Sequence, residues 1–451
     1  MKIIIVGCGK VGFTLAQQLN DEGHDITLID TNESKLEKAL SQLDVFAVAG
    51  NGTTFRTQQE AGIKKSDLLI AVTGKDEVNL LCCLIAKKSG NCNTIARVRN
   101  PEYFEEIGYL REELGLSLAV NPEYACARSI ANLIEVPSVL DITSFAKGRI
   151  NMIQIQIPEG SLVNEMSVYE FANKVHNNTL ICAIERAHEV LIPDGNTTIK
   201  AGDLMYVIMP PSEIHHLLAK IGIKSKPIKS VMIIGGSMIS YYLAAKLRAA
   251  HIQVKIIEQN FEQCERLSEA LPHAMIIHGD ASDRQLLLEE GIEDMDAFIS
   301  LTNLDEENLI LSLFASKVSD AKKITKVDKV AFSEVVDELP IGTIACPKNI
   351  TAKTIIQYIR ALQNSYGSNI ETLYRMLDDR VEALEFAIRQ ESKVTNKPLT
   401  ELKLKKNLLV CAIIRGKEII TPSGKDQIMQ GDTVIVVTTN KGLTDIKDIL
   451  A

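Results

Sequence analysis

Two patterns alternate along the 451-residue chain. Short runs of consecutive apolar residues, rich in Ile and Val, are followed by stretches in which apolar residues return every three or four positions. Residues 2–6, 25–30, 45–49, 68–73 and 94–99 read as strands. Between them, residues 11–20, 33–43 and 76–88 read as helices, the first with Val11, Leu15, Ala16 and Leu19 on one face. Unbroken apolar strands separated by helices predict a parallel sheet covered on both sides. Residues 123–135 predict a further helix, closed by Pro137.

The pattern then changes. Residues 152–157, 179–186, 190–192 and 204–209 predict strands, with a helix over 168–175 and another from Ser212. Turn signals sit at Pro193-Asp194-Gly195 and Gly202-Asp203. This is the reading of a small α+β lobe. A lysine-rich stretch with Pro227, residues 220–230, reads as a linker.

Beyond the linker the chain repeats. With an offset of 229, Thr73, Asp76, Glu77, Asn79 and Leu80 meet Thr302, Asp305, Glu306, Asn308 and Leu309. The match slips by four, where Pro122 meets Pro347, and then returns to 229. There Asn178, Cys182, Ala183, Ile184 and Arg186 meet Asn407, Cys411, Ala412, Ile413 and Arg415, and Gly202-Asp203 meets Gly431-Asp432. Chance does not hold a constant offset through so many identities, so the chain is two copies of one unit. The fold expected is α/β, a parallel-sheet nucleotide-type domain followed by a small lobe, twice.

Composition narrows the function. Apolar residues at 46% and charged residues at 24% are those of an ordinary globular protein. A net charge of −9 argues against nucleic acid as a partner. No apolar run reaches the eighteen or so residues that would cross a bilayer, and residues 1–6 are too short for a signal peptide, so a cytoplasmic location is expected. Nine cysteines without a Cys-x-x-Cys pair predict buried reduced thiols, with neither structural zinc nor disulfides.

The chemistry concentrates where strands run into helices. Gly7-Cys8-Gly9-Lys10-Val11-Gly12 is a G-x-G-x-x-G loop between a strand and a helix. Gly7 permits the turn, Gly9 lets a pyrophosphate approach the backbone, Gly12 lets helix and strand pack, and the helix N-terminus offers free N–H groups. Asp30 ends the second strand, where a carboxylate accepts from ribose hydroxyls and would repel a 2′-phosphate, so NAD or an adenosine phosphate fits better than NADP. The second copy reads Gly235-Gly236-Ser237-Met238-Ile239-Ser240, with Ser in place of the third glycine, and keeps an acid at Glu258.

Other loops at strand ends are candidates. Ala49-Gly50-Asn51-Gly52-Thr53 and His278-Gly279-Asp280-Ala281-Ser282 are either ligand contacts, through Asn51 and Asp280, or plain turns with Thr53 or Ser282 as helix N-cap. Thr73-Gly74 and Thr302-Asn303 are placed to touch a nucleotide edge, and the acids after them, Asp76 and Asp305, are explained by helix capping alone. Arg97 suits a phosphate through its planar fork, or else a salt bridge; its counterpart is Lys326, and Arg99 becomes Asp328. The eight histidines form no ligand pattern, and neither a G-x-S-x-G elbow nor a Walker loop occurs. No catalytic residue and no metal ligand is assigned, and ligand sensing is favoured over turnover.

The residues 2–12, Asp30, the Leu301-Thr302-Asn303-x-Asp305-Glu306-x-Asn308 run, and Cys-Ala-Ile-x-Arg at 182–186 and 411–415 together resemble the TrkA family. These are the NAD-binding peripheral subunits of bacterial Trk potassium uptake systems. The resemblance spans the whole chain. It implies two Rossmann-like RCK N domains, at 1–135 and 228–362, each followed by a small RCK C lobe, at 138–222 and 369–451. It implies nucleotide binding on Gly7, Cys8, Gly9, Lys10, Val11, Asp30, Thr73, Gly74 and Arg97, and on Gly235, Gly236, Ser237, Met238, Ile239, Glu258, Thr302 and Asn303. NAD⁺ or NADH is the implied ligand, with ATP or ADP beside it. The implied partner is a transmembrane potassium-translocating subunit. Self-association into a gating ring, a homotetramer, on the cytoplasmic face of the inner membrane is also implied. The alternative reading is a soluble NAD-dependent oxidoreductase with duplicated dinucleotide domains.

Overall fold

The computed structural model describes the whole chain except residues 91, 176–178, 188, 224–225, 329–338, 365–369, 378–379 and 444. Asn178 of the repeat, His176, His188, the middle of the expected linker and residue 369 lie outside the described residues. The chain folds as two compact units, Met1–Ala131 with Lys229–Ile356, and Asn132–Ile228 with Gln357–Ala451.

The first unit holds two copies of a parallel sheet. In copy one, β1 (Lys2–Val6), β2 (Asp25–Asp30), β3 (Phe46–Ala49), β4 (Leu68–Ala71), β5 (Asn93–Arg97) and β6 (Leu118–Val120) lie in the order β3-β2-β1-β4-β5-β6. That is the dinucleotide-binding order, with its switch point between β1 and β4, where such sheets take ligands. Every pairing is parallel. The sixth strand is an addition to the five that the apolar runs predict: three residues are too short to carry a pattern. Helices α1 (Lys10–Asp21), α2 (Glu33–Leu40), α3 (Phe55–Glu60) and α4 (Asp76–Gly90) pack on the sheet; α1 buries Leu15, Ala16 and Leu19 of the face its spacing predicts, together with Gly12, while Val11 is half-buried. Helices α5 (Pro101–Glu105) and α6 (Ile107–Leu114) precede β6, and α7 (Pro122–Glu135) follows it. The second copy repeats the plan with Met275–His278, Gln253–Glu258, Ser230–Ile234, Ala297–Ser300, Lys322–Lys326 and Thr343–Ala345 in that spatial order.

The two sheets of this unit are joined across their copies. The Tyr242 hydroxyl donates to the Arg99 carbonyl (3.1 Å) and accepts from Asn121 Nδ2 (3.0 Å), while Lys10 Nζ reaches Asp328 Oδ2 at 2.9 Å.

The second unit consists of two five-stranded antiparallel lobes. Lobe one orders Glu189–Leu191, Leu180–Arg186, Leu204–Met209, Ile150–Gln156 and Asp141–Phe145. The last of these is a strand the sequence reading lacked, because Asp-Ile-Thr-Ser-Phe is too polar for an apolar run. Its partner lobe repeats the order with Glu418–Ile420, Leu408–Arg415, Thr433–Thr438, Val381–Ala387 and Ile370–Met376. One apolar cluster, containing Phe145, Cys182, Ala183 and Tyr206 with Ala383, Cys411, Ala412 and Val437, seals sheet against sheet. Arg186 forks onto Asp203 (2.7 Å to each oxygen) and Arg415 onto Asp432 (2.9 and 2.8 Å), so these repeat identities are structural. His215 and His216 are exposed on the helix Ile214–Lys220, as expected.

Candidate functional site

At the switch point of copy one, backbone conformation builds the loop. Gly7 has φ +101°, which a side chain would strain, and its amide donates to Ile29 O at 2.8 Å. A Cβ at Gly12 would overlap the Gly7 carbonyl oxygen, so close helix-strand packing requires the third glycine. Gly9 differs: a Cβ there meets nothing within 4 Å, and as N-cap of α1 it offers no side-chain hydrogen bond. The empty space over Gly9 and the uncapped helix end form a cradle that suits a pyrophosphate.

Asp30 sits at the β2 tip, where its carboxylate accepts from the amides of Cys8 (2.7 Å) and Asn32 (2.9 Å). It therefore shapes the loop besides facing the cleft. Thr73 is clamped by Asn79, which is fully buried: Asn79 Oδ1 accepts from the Thr73 amide (2.8 Å) and hydroxyl (2.7 Å), and Nδ2 donates to Arg97 O (2.9 Å). Asn308 holds Thr302 and Lys326 in the same way. The sequence contained this pair as a repeat identity, but spacing alone gives an asparagine no role.

Two expectations are refined. Asp76 stands in the first turn of α4, where the dipole favours it, but capping is not its whole role: Oδ2 accepts from the amides of Arg99 and Asn100, both at 2.7 Å, and so fixes the loop after β5. The N-caps of α3 and its counterpart Arg284–Glu289 are Thr54 and Asp283, one residue beyond Thr53 and Ser282. Asn51 and Asp280 line the cavities and also brace their own loops, accepting from the amides of Thr53 (3.0 Å) and Ser282 (2.8 Å).

Arg97 is a largely buried cation with incomplete compensation. Its side chain is 17% exposed, its Nη2 reaches Glu123 Oε1 only at 3.4 Å, and Nε has no hydrogen-bond partner. Burial pulls the guanidinium down from its ordinary pKa, with the Glu123 carboxylate opposing. A buried, half-paired cation at a cleft wall attracts an anion. Glu123 stands in the first turn of α7.

Gly7, Gly9, Lys10, Val11, Asp30, Asn51, Thr73, Gly74 and Arg97 line one cleft of about 940 Å³. Cys8 and Gly12 lie behind its wall; Cys8 is buried, and burial together with Asp30 raises its thiol pKa. Lys35, Lys75, Lys348 and Glu123, to which the sequence reading gave no ligand role, also line the cleft, and so do Lys326 and Asp328, which it placed in the second copy. The signal for the lysines was their place just after strand ends. Six cations thus face three carboxylates in this cleft.

The second copy is arranged differently. Gly235, Gly236, Ser237, Glu258, Asp280, Thr302 and Asn303 line a second cavity of about 400 Å³, which shares Ser237 and Asn303 with the larger cleft. Met238 and Ile239 line the larger cleft with the copy-one residues instead. Ser237 caps its own helix by accepting from the Ser240 amide, and Ser240 Oγ donates to Gly235 O at 2.5 Å, which is how a side chain is accommodated where copy one needs glycine. Lys326 Nζ donates to Thr302 O at 3.0 Å, so its charge is held by a carbonyl.

All nine cysteines are free thiols. No helix of the described residues is long and apolar enough to cross a membrane.

The TrkA-N domain model matches residues 3–122 and 231–347, and the TrkA-C domain model matches 152–222 and 383–451. The chain is 31% identical over 456 residues to the Trk system potassium uptake protein TrkA homolog 1 of Methanosarcina mazei, covering 99% of each. It is 32% identical over 450 residues to the TrkA homolog of Archaeoglobus fulgidus, covering 100% of both. Among solved structures, the GsuK channel bound to NAD has the same fold, with a TM-score of 0.65 at 16% identity over 98% of this chain and 77% of that one. Two relatives matched end to end and tandem domain matches lead to one conclusion: the chain belongs to the TrkA family.

Proposed function

We propose that this chain is a nucleotide-sensing regulatory subunit of a potassium uptake transporter of the Trk type, and not an enzyme. Its relatives carry the potassium-uptake name. One observation carries the sensing role: the open cradle at Gly9, the Asp30 carboxylate and the under-compensated Arg97 converge on one cleft at the switch point. In this reading the pyrophosphate of NAD⁺ or NADH, or of ADP or ATP, lies over Gly9 and the α1 N-terminus, the ribose hydroxyls donate to Asp30, and a phosphate meets Arg97. The second copy binds through Gly235, Gly236, Ser237, Glu258 and Asp280.

The route outward starts at Arg97. A phosphate drawing its guanidinium away from Glu123, at 3.4 Å, changes the electrostatic restraint on the first turn of α7. A ligand moves an equilibrium only by its difference in affinity for two states, and couplings of about 1–3 kcal/mol, about 5- to 150-fold, are usual. The acting assembly is a homotetrameric gating ring, peripheral on the cytoplasmic face of the membrane and docked on the potassium-translocating subunit.

The test is potassium flux in vesicles that hold the transporter, with the full chain added and NADH, ADP or ATP varied. Nucleotide-dependent flux supports the proposal. Nucleotide binding with no effect on flux refutes it, and NADH oxidation in the presence of a reducible substrate turns the reading to an oxidoreductase.

A further inference from the structure

The two ligand cavities of the first unit differ in charge. Besides four carboxylates, Glu258, Glu262, Asp280 and Glu307, the smaller cavity has one cation, Arg266, and that guanidinium already pairs with Glu262 at 2.6 Å. In the larger cleft, to which the second copy adds Lys326, Lys348 and Asp328, cations outnumber carboxylates by two to one. Phosphate is favoured in one and repelled in the other.

Sterics and hydrogen bonding point the same way. Where Gly9 leaves open space for a pyrophosphate, the second copy has the Ser237 side chain. That hydroxyl already occupies the helix N-terminus by accepting from the Ser240 amide. Met238 stands where copy one has Lys10, and it faces the larger cleft. Yet the nucleoside end of the site is intact. Gly235 keeps the positive φ of +94°, and Glu258 holds the loop through Gly236 N (2.6 Å) and Asn260 N (2.7 Å), as Asp30 does. A Cβ at Gly236 would come 2.7 Å from Leu267 Cδ1 and 3.1 Å from Glu258 Cγ, so a side chain there would displace Leu267. The volume of about 400 Å³ is at the lower end of ligand pockets.

We propose that the second site takes a nucleoside that carries no 5′-phosphate, so that the two copies read two different ligands. The proposal rests on the reading of both glycine loops as nucleotide-type sites. Ribose hydroxyls would donate to Glu258, and the acidic wall would exclude a phosphate tail.

The test uses the full-length chain carrying Gly9→Asp, which closes the first site, with adenosine and ADP as calorimetric probes. The expected result is one adenosine per chain, bound at least ~10-fold more tightly than ADP. Adding Glu307→Gln should improve ADP binding while leaving adenosine within about twofold. The wild-type chain saturated with NADH should bind adenosine with the same Kd, which removes any dependence on the folding of the variant. ADP bound as tightly as adenosine overturns the proposal, as does no adenosine binding in either sample. Failure of the underlying reading has a separate signature: ADP binding that Gly9→Asp leaves unchanged.

Discussion

Replacing Gly9 by Asp separates folding from binding. Gly9 has φ −82° and ψ −168°, an extended conformation open to any L-residue, and a Cβ there meets nothing within 4 Å. As N-cap of α1 it has no side-chain bond, whereas Ser237 at the matching place caps its helix. An Asp should do the same and gain from the helix dipole, stabilising the chain by about 0.5–1 kcal/mol. The melting temperature should rise by roughly 1–3 °C. Binding should move the other way. The carboxylate takes up N–H groups that the pyrophosphate needs, at about 1.5–3 kcal/mol for a hydrogen bond to a charged group. Its charge, about 4 Å from a phosphate, adds about 1 kcal/mol in a water-like cleft and about 4 in a protein-like one. Together these exceed about 2.5 kcal/mol, a loss of roughly 100-fold or more. Scanning calorimetry gives the stability, titration calorimetry with NADH and ADP gives the affinity, and flux in vesicles gives the consequence. A variant that melts no lower than wild type yet binds NADH equally well would refute the placement of the pyrophosphate over Gly9.

The other predictions use neighbouring residues. Gly12→Ala, which drives a Cβ into the Gly7 carbonyl, should destabilise the chain by about 1–3 kcal/mol in urea unfolding; Ser240→Ala, which loses the bond to Gly235 O and the contact with the Ser237 hydroxyl, should cost about 1 kcal/mol. Asp30→Ala should weaken adenine-nucleotide binding in the full chain roughly 10- to 100-fold by calorimetry, and an unchanged Kd would take the ribose away from Asp30. Burial holds the thiols of Cys82 and Cys126 up at about 12, so they stay protonated in the fold while the unfolded chain ionises them from about pH 8.5. Their stabilisation is thus full below that pH and is lost as pH rises towards 12. Between pH 9 and 10 the double variant Cys82→Ala, Cys126→Ala should lose less stability per pH unit than wild type, by up to about 2.7 kcal/mol, and equal slopes would contradict the assignment.

The parallel sheets were legible because a strand buried on both faces is a run of apolar residues, and β1 and β4 are such runs. Strand β6 and the strand Asp141–Phe145 were not. Each is held by its neighbour in the sheet, and its residues do not announce it: Leu118–Val120 is three residues long and Asp141–Phe145 is mostly polar. The glycine loop was legible residue by residue, since Gly7 and Gly12 are dictated by backbone geometry within a dozen positions. What Asp76, Asn79 and Glu123 do was not, because each acts on a partner about 20 residues away: Asp76 on the Arg99 amide, Asn79 on Arg97 O, Glu123 on the Arg97 guanidinium. A residue's local pattern shows which side of an element it lies on. It does not show which loop crosses that side.

The same limit explains how two copies with one backbone plan diverge. Gly12 and Ser240 occupy matching positions, and the exchange is tolerated because the hydroxyl bonds the very carbonyl that a Cβ in copy one would strike. Once that helix start carries Ser237 and Ser240, the Ser240 amide serves the helix's own cap. With Met238 replacing Lys10, the cross-copy ion pair to Asp328 exists in one direction only, from copy one to copy two. The large cleft therefore gathers cations from both copies around a single uncapped helix, while the small cavity keeps mainly its carboxylates. A symmetric pair would respond to a single ligand in duplicate. Differences at three consecutive matched positions, Cys8, Gly9 and Lys10 against Gly236, Ser237 and Met238, leave the fold intact, and on them rests the proposal that the pair takes two chemically distinct ligands.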